Sequence, residues 1–329
     1  MVKILFLWSA KNSWTQVDWA ERTEEHIPLL DALQARGYVV AEEMVAGNVA
    51  RALDGKGYDP AEWLVVNWCD GFTDRPSGYI ETLEEIEALG LNHLGSGSAT
   101  LRTVADKRQV RARLREKGLR IPEGSVVETL QDLAWRKFPA IVKPSNQHAS
   151  IGITNDSVVQ NEAALARQVA FVLDVFHAPA LVEEFIPGRE FTVTVCGNAN
   201  LELLPPLELD YGMFGARLHH IYSYEAKFIS DVPEVDFRYP VTLDARVMAE
   251  LNELAVGAFR ALACRDYARI DVRLGGGEPY LLDVNANPDI NAESAVGVSA
   301  AAAGIEYGDL LVKFLQAAQE RRATCDAVV

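Results

Sequence analysis

The sequence predicts an α/β chain, α+β overall, in which an N-terminal open parallel sheet precedes two further domains. Three observations carry this expectation. Over roughly the first 95 residues, short apolar runs alternate with helix-spaced ones, as parallel strands with helical crossovers require. The alternation stops at Gly95-Ser96-Gly97-Ser98, and beyond Pro187-Gly188 strand-like runs dominate until the C-terminal helices. The length, 329 residues, holds two or three domains at about 150 residues each.

Residues 2–8 read as a buried strand. Residues 23–36, with Ile27, Leu30 and Leu33 at helical spacing and Gly37 beyond, read as a helix. Residues 38–40 and 63–68 are further strands, and 80–89 a second helix. No GxGxxG follows the first strand, which argues against a dinucleotide site there. After the Gly-Ser break, residues 100–117 predict one basic helix closed by Gly118. Residues 140–143 and 180–185 read as strands and 161–175 as a helix. Helices follow over 243–263 and 307–322, and the alanine-rich 292–303 is a helix or the approach to one. The expected domains are 1–97, 98–186 and 187–329.

A net charge of −16 argues against nucleic acid or an anionic membrane as partner. It equally repels a nucleotide triphosphate, unless a basic cradle and a metal ion reverse the field locally. No apolar run approaches the ~18 residues of a membrane span. The start MVKILFLWSA is followed by Lys11, Asn12 and Trp14 where a small-residue cleavage site belongs, so a first strand and a cytoplasmic protein are expected. The four cysteines form no CxxC and the six histidines no HExxH, which points away from disulfide frameworks and zinc.

The chemistry concentrates in ARIDVRLGGGEPYLLDVNANPD, residues 268–289. Two apolar runs flank Gly275-Gly276-Gly277, the pattern of a β-hairpin. Alternation puts Arg269 with Asp271 on one face, and Asp283 with Asn285 on one face. A loop with an odd number of residues brings both sets together. Two carboxylates and an amide oxygen suit Mg²⁺, which shares its shell with waters and substrate phosphates. Upstream, Lys143 ends an apolar run before the polar loop 145–150 and Gly152, a segment able to fold over phosphates. Glu183 is suited to a base amino group and Glu190 to ribose hydroxyls. Lys227, and Lys107 at the head of the basic helix, supply point charges for phosphate. Taken singly, each of these segments reads equally well as solvated surface.

Taken together, in chain order, IVKPS with its polar loop, LVEEFIPGREFTV, YEAKFIS and ARIDVRL…YLLDVNANP resemble the ATP-grasp superfamily. Within it they are most similar to the D-alanine–D-alanine ligase group. The resemblance covers about residues 107–292. It implies an ATP-grasp fold, with an N-terminal α/β domain and two domains that sandwich ATP. It implies that Lys107, Lys143 and Lys227 contact the phosphates, with Ser145 and Ser150 from the lid loop. Glu183, with the backbone of Glu184 to Ile186, would bind adenine, and Glu190 the ribose. Asp271, Asp283 and Asn285 would hold Mg²⁺ or Mn²⁺. Arg269, Lys227 and Ser150 would serve the reacting centre. The implied reaction joins a small-molecule carboxylate to an amine through an acyl phosphate, releasing ADP and phosphate, and the resemblance allows a homodimer.

Departures from the group's pattern fall on the substrate side. Its Gly-Gly-x-Ser-x-Glu stretch is replaced by Trp8-Ser9-Ala10-Lys11-Asn12-Ser13, without the glutamate. Ala149 replaces a lid serine, Phe228 a tyrosine, and Pro288-Asp289 a proline-glycine pair. Ser294 matches a serine used near the second substrate's carboxylate. Asp289, Asn291, Ser294 and His148 are the candidate substrate contacts. Two other readings stay open here: a divergent D-alanine–D-alanine ligase, and an ATP-binding regulatory module without catalysis.

Overall fold

The computed structural model describes residues 2–9, 26–69, 78–147, 150–212, 219–222 and 235–326. The chain begins with β1 (Lys3–Ser9), α1 (Ile27–Ala35), β2 (Val40–Val45), α2 (Val49–Leu53), β3 (Trp63–Trp68), α3 (Tyr79–Ala88) and β4 (Asn92–His93). These strands form a parallel sheet in the order β2-β1-β3-β4. Strand β1 is central and nearly wholly buried, as its unbroken apolar run demands. Strand β2 begins at Val40, where the expected strand 38–40 ends. It is an edge strand, half-exposed, and its Glu42 and Glu43 interrupt the apolar signal.

The basic stretch is two helices, α4 (Ser98–Val104) and α5 (Lys107–Glu116), where the sequence predicts one. Asp106 adopts an extended conformation between them, and its carboxylate accepts a hydrogen bond from the Arg108 amide at 2.9 Å. That is an N-cap, and it ends one helix by starting the next. Lys107 thereby becomes the first residue of α5.

A second sheet comprises β5 (Gly124–Val127), β6 (Ala140–Pro144), β7 (Val158–Val159) and β8 (Ala180–Glu184), antiparallel in the order β5-β8-β6-β7. Helix α6 (Glu162–Phe176), capped by Asn161 through the Ala164 amide at 3.0 Å, buries Leu165, Val169 and Val172 against Val142 and Val182 of that sheet.

The third sheet contains β9 (Arg189–Gly197), β10 (Leu201–Leu203), β11 (Leu207–Asp210), β12 (Asp236–Arg238), β13 (Asp266–Gly275) and β14 (Glu278–Asn285). Its order is β12-β11-β9-β13-β14, with β10 on β9. Helix α7 (Ala245–Ala261) covers it, and Leu251, Ala255 and Phe259 share one core with Val193, Ile270 and also Leu5, Leu7 and Val65 of the first sheet. Helices α8 (Ala295–Ala302) and α9 (Tyr307–Asp326) follow. Helix α9 returns to the N-terminal sheet, where Leu310, Leu311 and Phe314 pack with Ile4, Phe6 and Leu33. Tyr267 stacks on Phe314 at 4.5 Å, and Arg36 binds Asp309 at 2.7 Å. Among the described residues no single helix is long and apolar enough to cross a membrane. Helices α8 and α9 meet that length and composition only as a pair bent by 107°, and Val296, Ala300 and Phe314 place them in the core.

The hairpin loop holds an even number of residues, Gly276 and Gly277, at φ +60° and +84°. Both positive angles suit the tight hairpin turn whose twist matches its strands. Gly275 pairs with Glu278, a register that, continued, sets Asp271 against Leu282 and turns Asp283 to the opposite face. A β-bulge prevents this. The register shifts between Asp271 and Val272, so that Asp271 faces Asp283 and Arg269 faces Asn285. One extra residue in β14 does what an odd loop would have done.

Gly188 enters β9 at φ +146°, and a Cβ there would stand 2.0 Å from the Leu274 carbonyl oxygen on β13. Gly188→Ala is expected to lose about 3 kcal/mol, from strain plus displacement of the neighbouring strand. Urea unfolding checks this, and an unchanged midpoint would contradict it.

Candidate active site

A cavity of about 860 Å³ opens between the sheets. Its walls include Lys107, Lys143, Ser150, Glu183, Glu184, Ile186, Glu190, Arg269, Asp271, Asp283, Asn285 and Asp289. Ser145, Asn291 and Ser294 are not part of the wall. Lys227 and His148 lie outside the described residues.

Strand β9 runs antiparallel to β13 and sets Glu190 against Arg273, Thr192 against Asp271 and Thr194 against Arg269. With β14 this makes one continuous polar face. Arg269 clasps Asp271 in bidentate fashion, Nε to Oδ1 and Nη2 to Oδ2, both at 3.0 Å. Thr192 donates to the same Oδ1 at 2.9 Å. Burial depresses the Arg269 guanidinium, but the charge and hydrogen bonds of Asp271, with the charge of Asp283, outweigh that and raise it above its ordinary value. It is a fixed cation beside two carboxylates.

One row along, Arg273 forms a buried ion pair with Glu190, whose Oε2 also accepts the Tyr211 hydroxyl at 2.8 Å. Burial and the Glu190 charge push the Tyr211 hydroxyl far above its ordinary value, so it stays a donor. The Arg273 guanidinium lies over the Phe185 ring at 5.4 Å, and its Nε has no hydrogen-bond partner among the described residues. Glu190 was legible in the sequence. Arg273 and Tyr211, which aim it, carried no local signal.

On the opposite wall, Glu183 and Lys143 share a face of adjacent strands, and Lys143 Nζ donates to Glu183 Oε2 at 2.9 Å. Arg111 takes the other oxygen and donates its second nitrogen to the Pro122 carbonyl at 2.9 Å. All three side chains are buried. Burial draws the Arg111 guanidinium below its ordinary value even against the Glu183 charge. Both carboxylate oxygens of Glu183 thus hold cations, and it positions Lys143 toward the cavity. Arg111 was missed in the sequence. Its only signal is its place four residues after Lys107, on the same helix face.

The lid loop is tied at both ends. Lys107 donates its backbone amide to the Ser145 carbonyl at 2.9 Å and its Nζ to the Gln147 carbonyl at 2.5 Å. Ser145 is itself buried, with its amide on the Pro179 carbonyl at 3.0 Å, which keeps it behind the wall. Ser150, at φ +61°, donates its hydroxyl to the Tyr222 carbonyl at 2.6 Å. Beyond β14, Asp289 accepts the Asn291 amide at 2.8 Å. Ser294 accepts the Gly297 amide at 3.2 Å and donates to the Asn291 carbonyl at 2.7 Å, making it the N-cap of α8. Those bonds fold Asn291 and Ser294 into a turn beside the cavity.

The donor set fits a hard divalent cation. Asp271 and Asp283 are direct cross-strand partners, and like charges so placed are destabilising unless something positive lies between or beside them. Asn285 adds a neutral oxygen donor on the same face. Among the described residues no group of three or more His, Cys, Asp and Glu converges. A cation held by two carboxylates and an amide, with substrate oxygens completing its shell, is the pattern of Mg²⁺ and Mn²⁺.

The sequence model of the family described as "D-ala D-ala ligase C-terminus" matches residues 120–316, more than half of the chain and all of the β9–β13–β14 face. The chain belongs to the D-alanine–D-alanine ligase family. The D-alanine–D-alanine ligase of Desulforudis audaxviator is 30% identical over 296 residues, 88% of this chain and 91% of that one. The uncharacterized protein y4sG of Sinorhizobium fredii is 32% identical over 241 residues, covering 72% and 69%. Among solved structures, the D-alanine–D-alanine ligase of Bacillus anthracis complexed with ATP matches with a TM-score of 0.74 at 21% identity, over 98% of this chain and 99% of that one. The VanG D-Ala:D-Ser ligase of Enterococcus faecalis matches with a TM-score of 0.73 at 17% identity, over 97% and 100%. The fold of this D-alanine–D-alanine ligase family member is ATP-grasp. It is an ATP-dependent carboxylate–amine ligase, an enzyme that forms carbon–nitrogen bonds between small molecules with ATP and a divalent metal.

Proposed function

We propose that the enzyme joins the carboxyl group of one amino acid or related small acid to the amine of another through an acyl phosphate. The observation that carries this reading is the in-register face of Arg269, Asp271, Asp283 and Asn285, set in one cavity with Lys107 and Lys143. A carboxylate is a poor electrophile, so its oxygen must first become a leaving group. Mg²⁺, preferred over Mn²⁺ for a site of hard oxygens that keeps part of its water, supplies neutralisation of phosphoryl charge when bound. Lys107 and Lys143 hold phosphate oxygens, and Lys227 is assigned the same role. Glu183 and Arg111 keep Lys143 in place until nucleotide enters. With both Glu183 oxygens engaged, adenine recognition falls to the backbone from Glu184 to Ile186. Glu190, aimed by Tyr211 and Arg273, accepts ribose hydroxyls.

Arg269, pinned beside the metal carboxylates, faces the place where negative charge builds when the amine attacks. The chain needs no covalent nucleophile, and its contribution is positioning and electrostatics. The loop from Ser145 to Gly152, tied at Lys107 and Tyr222, shields the acyl phosphate from water. D-alanine, the substrate in the relatives' names, is the first candidate. The altered residues 8–13 and Ala149 support a changed preference in the acid site.

Hydroxylamine tests the intermediate. With ATP, Mg²⁺ and a panel of D- and L-amino acids, it is expected to intercept the activated acid as a hydroxamate, in step with ADP. An acid that drives ADP release but gives no hydroxamate would contradict an acyl phosphate.

A further inference from the structure

Helix α3 brings to the cavity a carboxylate that the chemistry above does not use. Glu81, in the first turn of α3, lines the same cavity as Arg269 and the paired aspartates. Its Oε2 is buried and has no hydrogen-bond partner among the described residues. A charged oxygen withdrawn from water without a partner is costly, and native proteins keep few of them. Two polar residues of the same wall are engaged elsewhere. Arg102, whose charge Glu81 supports, gives Nε and Nη2 to Glu84 at 2.6 and 2.7 Å. The Asn287 amide nitrogen serves the Tyr79 hydroxyl at 3.1 Å and the Ser96 carbonyl at 3.2 Å. Ile80, Leu101, Val104 and Ala105 add apolar wall to the cavity and limit the water available to the carboxylate.

We propose that Glu81 recognises an ammonium group on the acid substrate, so that the enzyme selects an amino acid over the corresponding acid without an amino group. The assignment rests on the acyl-phosphate reading for the division into activated acid and attacking amine. An attacking amine must be unprotonated, whereas contact with a carboxylate favours the protonated form. The cation held by Glu81 is therefore a spectator, and it belongs to the molecule whose carboxyl group is activated.

Equilibrium titration with Mg²⁺ and a non-hydrolysable ATP analogue tests this. The probes are the D- and L-forms of alanine, serine, lysine and glutamate, each beside its deaminated acid. The parent enzyme is expected to prefer at least one amino acid over its deaminated partner. Glu81→Gln is expected to weaken that amino acid by about 10- to 100-fold, the worth of a charge-assisted contact, with nucleotide and deaminated acid held within about twofold. Glu81→Asp, which keeps the charge, is expected to restore part of the preference. A folded Glu81→Gln variant that binds the amino acid as the parent does would overturn the proposal. So would a parent enzyme that shows no preference for the amino group. Glu81-dependent binding with no hydroxamate formed would instead sustain ammonium recognition by Glu81 and contradict the acyl-phosphate step.

Discussion

Asp283→Ala is expected to lower kcat/KM about a thousandfold, the largest effect of any single substitution in this cavity. The reason is geometric. Asp283 stands directly opposite Asp271, and the Asp271 oxygens are already engaged by Arg269 and Thr192. Asp283 is one of the two carboxylates proposed for the metal, and losing it removes neutralisation where phosphoryl charge develops, worth about 4 kcal/mol of barrier. Stability should hardly change, because the side chain is only half-buried and its removal relieves repulsion across the strands. ADP release at a series of Mg²⁺ concentrations measures it. Near-normal turnover at ordinary Mg²⁺ would refute the metal assignment.

Arg269→Ala is expected to depress amide formation by about 100- to 1000-fold, the range for loss of one preorganised electrostatic donor. ATP affinity should fall only a few-fold. The substitution leaves Asp271 with its Thr192 bond but without its bidentate partner, so some loss of stability accompanies it. Lysine at this position should rescue poorly, since a point charge cannot clasp both Asp271 oxygens. Single-turnover kinetics with separate nucleotide titration distinguishes the two effects. A large loss of ATP affinity with normal chemistry would move Arg269 to the phosphates.

The parallel sheet was legible because β1 and β3 are buried on both faces, and full burial writes an unbroken apolar run. The hairpin residues were legible too, but not their register. Nothing in YLLDVN marks Leu282 as the extra residue of a bulge, yet that bulge alone puts Asp283 on the side of Asp271. The break at Asp106 hid inside a run of good helix formers, where a capping aspartate looks like one more surface charge. Contacts distant in sequence were silent. Arg111 and Glu183 are 72 residues apart, and the apolar stripe of α9 does not say that its partner is the N-terminal sheet. Glu81 sits in the acidic run ETLEE, and only packing separates a carboxylate facing a cavity from one facing solvent. Ser294 carries a second role that position alone did not signal. It matched a substrate contact by position, and in the structure its hydroxyl caps α8.

The most direct test of the reaction follows oxygen. The acid substrate is supplied with ¹⁸O in its carboxylate, together with ATP, Mg²⁺ and the amine, and the released inorganic phosphate is examined by mass. Activation by phosphoryl transfer to the carboxylate predicts one ¹⁸O atom in each phosphate formed. Amide product accompanied by unlabelled phosphate would contradict it.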